Sequence, residues 1–244
     1  MLAWDVALLT LTHKLIATNA PAFFAVLFLA DRVPLVISTM VLVALWFSGQ
    51  PDGTSQQPAR LTQRESRQRV LLILFSMVAA FFLAQVIGDL FFRPRPLVDL
   101  PLQVPIDPQI WTSIVDQLRN DGGFPSQHAA FWFALTAGLF TFDWRAGLAA
   151  GLISLFFSAL RMGLGYNYPS DTIAGACLGI LTCAGIFSIR QKLAWLILPT
   201  FQFFRRNPIL AYPFGLLVMI DITQRMRWLF GLLAILFGGR GPSL

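Results

Sequence analysis

The sequence predicts an all-α, polytopic integral membrane protein, and two observations support that prediction. First, 56% of the 244 residues are apolar and 12% are charged, whereas a soluble domain carries about 25% charged residues. The mean hydropathy is +0.67. Second, the apolar residues form runs long enough to cross a bilayer, which takes about 20 residues per helix. This composition excludes an intrinsically disordered chain, and the presence of only two cysteines excludes a disulfide-stapled secreted domain.

The order of apolar and polar runs predicts the elements. They are an interfacial helix at 2–15; a short helix, a break and a span at 21–47; a polar loop at 48–69; a span at 70–92; a loop to 124; three helices at 126–142, 144–160 and 169–189; and apolar segments at 208–222 and 228–237. We expect a transmembrane domain over residues 1–206, with roughly five to seven spans. Residues 207–244 are expected to form an additional C-terminal interfacial segment.

Local residues justify the boundaries. The charged pair Asp31-Arg32 interrupts an apolar run, and such charges are costly in lipid unless they are neutralised or face a cavity. The loop at 48–69 is rich in polar residues and arginines. The span at 70–92 must end at the sequence 93–96, Arg-Pro-Arg-Pro, because proline removes a backbone donor and restricts the residue before it.

The net charge of +6 reports on topology and does not indicate a nucleic-acid partner. The basic residues concentrate in the connections at 60–69 and 190–206. Short loops rich in arginine and lysine stay in the cytoplasm. We therefore expect a bacterial inner-membrane protein whose loop at 93–124 and turn at 161–169 face the periplasm.

Three polar constellations fall on that periplasmic face. They are Arg93 and Arg95 after one span, Ser126 and His128 at the start of the next, and the turn from 161 to 171. Arginine presents a planar fork of donors that matches phosphate oxygens, and helix-start amides complete such a cradle. A histidine one turn into the helix is suited to proton transfer near neutral pH. The pattern indicates a phosphate site.

These residues resemble the motifs of the type 2 phosphatidic acid phosphatase superfamily, especially its branch acting on undecaprenyl pyrophosphate. The family pattern is K-x6-R-P, then P-S-x-H, then S-R-x5-H-x3-D, and the resemblance covers about residues 85–175. It implies an all-α transmembrane domain with a six-helix core like that of the family. The resemblance implies that Arg95, Ser126 and Arg161 bind phosphate. It also implies that His128 protonates the leaving oxygen and that Asp171 orients a nucleophilic histidine. The aromatic residues Trp111 and 131–133 are candidates for lining a prenyl-chain groove.

The sequence departs from the family pattern at three positions. Gly88 stands where the family has lysine, so that Arg93 is the candidate for supplying the missing phosphate contact. Leu160 replaces a serine. Asn167 stands at the position of the nucleophilic histidine, and an amide has no basic nitrogen lone pair with which to attack phosphorus. An asparagine there could still hydrogen-bond Asp171.

Three interpretations of Asn167 are open from the sequence. In the first, asparagine has replaced the histidine of an ordinary phosphatase by an engineered change. In the second, the site performs direct transfer from a polyprenyl-phosphate-linked donor, with His128 as the base. In the third, the protein binds a lipid phosphate without catalysing a reaction, as a transporter would. Among them the sequence favours a lipid (pyro)phosphate phosphatase at the outer face. Its catalytic candidates are His128, Asn167 and Asp171. The expected partners are a polyprenyl or glycero-lipid phosphate and membrane lipids, and no metal or cofactor is expected.

Overall fold

The computed structural model describes residues 3–49 and 61–193, with isolated positions between 199 and 213. Within this part of the chain the regular elements are helices, which confirms the predicted all-α class. In chain order they are α1 (Ala3–Ile16), α2 (Ala20–Asp31), α3 (Val33–Trp46), α4 (Gln63–Leu90), α5 (Pro96–Asp99), α6 (Pro108–Leu118), α7 (Gln127–Phe140), α8 (Trp144–Gly163) and α9 (Pro169–Ser188). The C-terminal segment predicted at 207–244 lies outside the described residues, isolated positions apart.

Four helical stretches in the described residues are long and apolar enough to cross a membrane. They are Ala20–Trp46, Gln63–Leu90, Trp144–Gly163 and Pro169–Ser188. This finding confirms the predicted polytopic membrane protein. The break expected at Asp31-Arg32 is present, since α2 ends at Asp31 and α3 begins at Val33.

Helix α7 is the centre of the bundle and packs against α4, α8 and α9. It has only 14 residues, and most of them are buried, because neighbouring helices surround it. The N-terminal helix α1, expected at the membrane surface, packs against α8 and α9. It is therefore part of the bundle.

Two glycines of α9 allow its close contact with α7. A side-chain carbon at Gly175 would collide with the carbonyl oxygen of Ser126, and one at Gly179 with the carbonyl oxygen of Ala130. Lipid gives helices no hydrophobic drive to associate, so close backbone packing between small residues is a main source of attraction. The contact fixes the start of α7 beside the start of α9.

Two predicted loops are partly wrong. The loop expected at 48–69 is wrong from residue 63 onward, because α4 begins at Gln63 with a capping box formed by Thr62 and Glu65. Such a box satisfies two free backbone donors at once, which offsets the polarity that had suggested a loop. The loop expected at 93–124 contains α5 and the amphipathic helix α6.

Candidate active site

The three polar constellations meet at one end of the bundle. The backbone N–H of Ser126 donates to the carbonyl of Asp171 at 3.0 Å, and that of Gly123 donates to the carbonyl of Arg93 at 2.8 Å. These two bonds join the segment after α4, the segment that leads into α7 and the first turn of α9. The structure thus brings together the residues that the sequence singled out.

Arg95 lies inside this cluster and is 5% exposed. Its Nη1 donates to the carbonyl of Tyr166 at 3.1 Å, and its Nε donates to the carbonyl of Asp121 at 3.3 Å. Backbone carbonyls from two different loops therefore hold the guanidinium in place. Its position follows from the proline at 96, which begins the short helix α5 and keeps Arg95 extended.

Arg161 is 3% exposed and sits in the last turn of α8. Its Nη1 donates to Asp31 at 2.6 Å, and its guanidinium lies 4.8 Å from the centre of the Tyr166 ring. Among the described residues, its Nε is buried and has no hydrogen-bond partner. A buried donor without a partner is costly, so this nitrogen has bonding capacity for a ligand.

Ser126 and His128 occupy the first turn of α7. The hydroxyl of Ser126 accepts the backbone N–H of Ala129 at 3.4 Å and caps the helix. The ring of His128 packs edge-on against Trp132, with 5.7 Å between ring centres. The charges of Arg161 and Arg95 both act on this ring. His128 is thus placed at a helix start, within the electrostatic range of two cations.

Asn167 and Asp171 have partners other than each other. The side-chain amide of Asn167 donates to the carbonyl of Gly123 at 2.8 Å. The carboxylate of Asp171 accepts the backbone N–H of Tyr168 at 2.8 Å and the Nη1 of Arg93 at 2.7 Å. Among the described residues, the hydrogen bond that the sequence suggested between Asn167 and Asp171 is not formed, because a loop carbonyl and an arginine satisfy these groups.

Arg93 belongs to a different environment from Arg95 and Arg161. Besides Asp171, it forms an ion pair with Asp5 at 3.2 Å and donates to the hydroxyl of Ser170 at 2.8 Å. Its side chain is 27% exposed, whereas both carboxylates are fully buried. The expected role of Arg93, as a substitute phosphate ligand, stays a prediction, and its guanidinium is occupied by two carboxylates.

Sequence reasoning missed Asp5 and the partner of Asp31. Asp5 is a lone acid in an apolar N-terminal helix, and a charge in such a place needs a partner. Asp31 carries the same cost beside Arg32 in the sequence, but its partner in the structure is Arg161, which is 130 positions away. The free-energy cost of a carboxylate in an apolar helix indicated that each aspartate needs a partner, but the sequence did not show which residue that partner is.

The pKa values of Asp5 on α1 and of two tyrosines in the turn before α9 follow from the same contacts. Burial works to raise the pKa of Asp5, but hydrogen bonds from Ser170 and Arg93 outweigh it, so that pKa lies below its ordinary 3.8. Burial and the nearby Asp31 raise the pKa of Tyr166 to about 12. Burial and the nearby Asp99 raise the pKa of Tyr168 to about 12. Both phenols are therefore neutral at ordinary pH.

Gly88, which stands where the family has lysine, has little space around it for a side chain. A side-chain carbon at Gly88 would stand 3.1 Å from the carbonyl oxygen of Phe124, which is tighter than an ordinary contact. The loop before α7 approaches α4 closely at this point. A lysine at position 88 would require that loop to shift.

An apolar cavity of about 260 Å³ opens between α3, α7 and α8. Trp132 and Phe157 line it, with 5.9 Å between their ring centres. Because Trp132 also contacts His128, the cavity begins next to the polar cluster. Of the aromatic residues expected to line a prenyl-chain groove, Trp132 lines this cavity, whereas Trp111 packs against Phe23 in a separate cluster. The groove itself stays a prediction.

Within the described part of the chain, no group of three or more histidine, cysteine or acidic side chains is arranged to hold a metal ion.

Comparisons with known proteins give the family. No solved structure matches the chain. The bacitracin transport permease protein BcrC of Bacillus licheniformis is 26% identical over 133 residues, which cover 54% of this chain and 61% of that relative's length. The model of the PAP2 superfamily matches residues 69–195, from the first turns of α4 to just beyond α9. This match spans half of the chain and includes all three motifs, and the protein therefore belongs to the PAP2 superfamily.

Proposed function

We propose that the protein is a membrane enzyme that acts on a polyprenyl pyrophosphate, or a related lipid phosphate, by direct displacement at phosphorus. Membership of the PAP2 superfamily supports a lipid phosphatase-type function. The observation that carries the finer proposal is the free Nε of the buried Arg161, beside Arg95 and His128. A cluster with two cations and an unused donor is suited to an anion.

The phosphate is held by Arg95, by Arg161 and by the start of α7. Arg161 supplies its free Nε, while its ion pair with Asp31 fixes the orientation of the guanidinium. The first amides of a helix, aligned with its dipole, favour a negative group at the cap. Ser126 lies at that cap.

His128 is the acid and base of the proposed reaction. It accepts the proton of an attacking hydroxyl, whose oxygen then forms a bond to the terminal phosphorus. The bond from that phosphorus to the bridging oxygen breaks, and the electron pair leaves with the lipid monophosphate. Arg95 and Arg161 stabilise the charge that develops. Asn167 forms no covalent intermediate, and its amide holds the loop at Gly123.

The attacking hydroxyl decides between two activities. Water gives a phosphatase, and a sugar or lipid hydroxyl gives a transferase that moves the phosphoryl group to that acceptor. Asn167 keeps the transferase as the second candidate, because a site without a covalent intermediate needs the acceptor to be present at the moment of displacement.

The hydrocarbon chain of the substrate occupies the apolar cavity. On α8 its lining runs from residue 146 to residue 157, about 16 Å at 1.5 Å per residue. The cavity starts one helical turn from His128 and leads away from the charged cluster. A lipid with its headgroup on the arginines therefore has a place for the first part of its chain.

The site faces the extracytoplasmic side of a bacterial inner membrane. Helix α4 has 28 residues, about 40 Å at 1.5 Å per residue, with Arg64, Arg67 and Arg69 in its first turns and Arg93 just beyond its end. Basic residues favour the cytoplasmic side, which supports a periplasmic position for the opposite end and the site.

The stereochemical course at phosphorus tests the proposal. Purified protein in detergent is given an undecaprenyl pyrophosphate analogue whose terminal group is a thiophosphate chiral by oxygen isotope. The reaction runs in water labelled with the third oxygen isotope, and the configuration of the released thiophosphate is analysed. We expect inversion of configuration from the chain as it stands, and loss of release in His128→Ala. Retention, or an acid-labile phosphoenzyme, would contradict direct displacement.

A second arm separates the candidate activities. If release with water is absent, then candidate sugar and lipid acceptors are added, and labelled phosphate is followed into the acceptor. Transfer supports the transferase. Tight lipid binding with no turnover under either condition overturns the proposed enzyme and leaves a lipid-phosphate binder. Asn167→His tests the ordinary phosphatase: release regained through a covalent phosphohistidine in that variant would contradict direct displacement as the activity of this site.

A further inference from the structure

The N-terminal helix reaches the candidate site through one buried carboxylate. Asp5 is 0% exposed and accepts the backbone N–H of Ser170 at 2.9 Å and its hydroxyl at 2.7 Å. It also accepts the Nη2 of Arg93 at 3.2 Å. The family motifs do not include this residue, and the proposed chemistry does not use it. A fully buried carboxylate is costly unless such partners compensate it.

Arg93 joins Asp5 to Asp171. Its Nη2 bonds to Asp5 and its Nη1 to Asp171 at 2.7 Å, while its guanidinium lies 4.2 Å from the centre of the Tyr168 ring. Carboxylates from α1 and α9 therefore hold both terminal nitrogens. Arg93 cannot turn towards a phosphate without breaking at least one buried ion pair.

Asp171 continues the connection to the helix that carries His128. Its side chain accepts the backbone N–H of Tyr168 at 2.8 Å. Its own carbonyl accepts the backbone N–H of Ser126 at 3.0 Å. Ser126 caps α7, and His128 lies two residues further on. A continuous chain of bonds runs from α1 to the first turn of α7.

We propose that Asp5 is a positioning residue that acts through Arg93 and Asp171 to place His128 against the bound phosphate. This inference rests on the proposed function, since the placement of His128 matters to turnover only if His128 transfers a proton. The arginines that bind phosphate are held by other partners, namely Asp31 and backbone carbonyls. Loss of Asp5 therefore lowers kcat and leaves KM nearly unchanged.

A double-mutant cycle tests this dependence on Arg93. The variant Asp5→Asn keeps the shape of the side chain, and its amide oxygen still accepts the N–H of Ser170. We expect kcat to fall about tenfold, within the range of coupling between contacting residues, with KM changed by less than about twofold. Asp5→Asn combined with Arg93→Gln should be no slower than Arg93→Gln alone. Where Arg93→Gln does not fold, Arg93→Lys replaces it in the cycle.

Asp116→Asn is the matched control, because Asp116 forms an exposed ion pair with Arg119, outside the site. We expect it to keep the parent kcat and KM. Additive losses in the cycle, or a raised KM with unchanged kcat in Asp5→Asn, would overturn the positioning role of Asp5.

Chemical labelling of Arg93 gives a readout that does not depend on turnover. The protein in detergent is treated with phenylglyoxal, and modification of Arg93 is followed by mass spectrometry. We expect Asp5→Asn to be labelled several-fold faster than the parent or Asp116→Asn, because one ion pair is lost. Equal labelling rates would overturn the inference. A parent chain that labels as expected but turns over no lipid phosphate shows that the proposed function has failed and the contact stands.

Discussion

Arg93 and Arg161 stand at the same end of the helix bundle, but their guanidinium groups are used differently. Arg93 divides its two terminal nitrogens between Asp5 and Asp171. Arg161 has one carboxylate partner, Asp31, and keeps a buried Nε free among the described residues. An arginine that lies close to the candidate site is therefore not necessarily a residue that binds the phosphate. The arginine with an unsatisfied donor is the better candidate for binding an anion.

The largest expected effect lies on the Arg161 side, at His128. In His128→Gln the ring that would accept the proton is lost, and general acid–base catalysis typically contributes about 10²–10⁴-fold. We expect kcat to fall by that range while lipid-phosphate binding is retained. Turnover in detergent and binding by lipid competition measure the two quantities separately. A transporter would keep its binding and its transport after this change, and unchanged turnover would remove His128 from the reaction.

Removing the charge of Arg93 should mainly lower the stability of the protein. Arg93→Gln leaves two buried carboxylates without their counter-charge, and breaking such a buried pair costs about 3 kcal/mol or more. We expect a lower Tm in detergent and a reduced kcat, with KM almost unchanged. A variant with parental Tm but a raised KM would show that Arg93 contacts the substrate, as the sequence alone suggested.

Removing the Arg161 charge should have the opposite signature. In Arg161→Gln the donors to the phosphate are lost, and a hydrogen bond to a charged group contributes about 1.5–3 kcal/mol, which is about 10–100-fold in affinity. Its partner Asp31 has a side chain that is 42% exposed, whereas both carboxylate partners of Arg93 are fully buried, so we expect Tm to change less than in Arg93→Gln. Substrate titration of initial rates gives KM. If KM stays at the parental value, the phosphate does not bind at the free Nε.

Local signals account for the predicted helices and for the choice of the residues that the structure brings together at the candidate site. Apolar runs gave the spans, and Pro96, Ser126 and His128 gave helix ends with recognisable chemistry. The capping box at Thr62 and Glu65 was also a local signal, and it was overlooked because four arginines dominated that segment.

The pairing of charges could not be predicted in the same way. Asp5 meets Arg93 across 88 positions, and Asp31 meets Arg161 across 130 positions. Such pairs depend on how α1 and α2 pack against α8 and α9, which apolar periodicity does not specify. The cost of a charge in an apolar helix shows that a partner exists, and only the packing shows which one.

Helix α9 connects the surroundings of Arg93 with the helix that carries His128, because α9 contains Asp171 and packs on α7. Gly179→Ala would press a methyl group against the carbonyl of Ala130, and overpacking costs about 1–3 kcal/mol. We expect a lower Tm and a lower kcat together. Gly185→Ala is the matched control, because nothing lies within 4 Å of its added carbon. Equal effects from the two variants would contradict the close contact between α7 and α9.

We expect the smallest change in Tm and kcat from a substitution at Asn167. Asn167→Ala removes the bond to the Gly123 carbonyl, and a neutral hydrogen bond contributes about 0.5–1.5 kcal/mol. We expect Tm to fall slightly and kcat to fall by less than tenfold, because the amide holds a loop and forms no bond to phosphorus. The same reasoning applies to Asn167→His, in which Arg93 still occupies Asp171 and leaves the new ring without its orienting carboxylate. Trapping of an acid-labile phosphohistidine in Asn167→His would show that Asp171 can exchange Arg93 for an imidazole, and the two arginine environments would then be less separate than their contacts indicate.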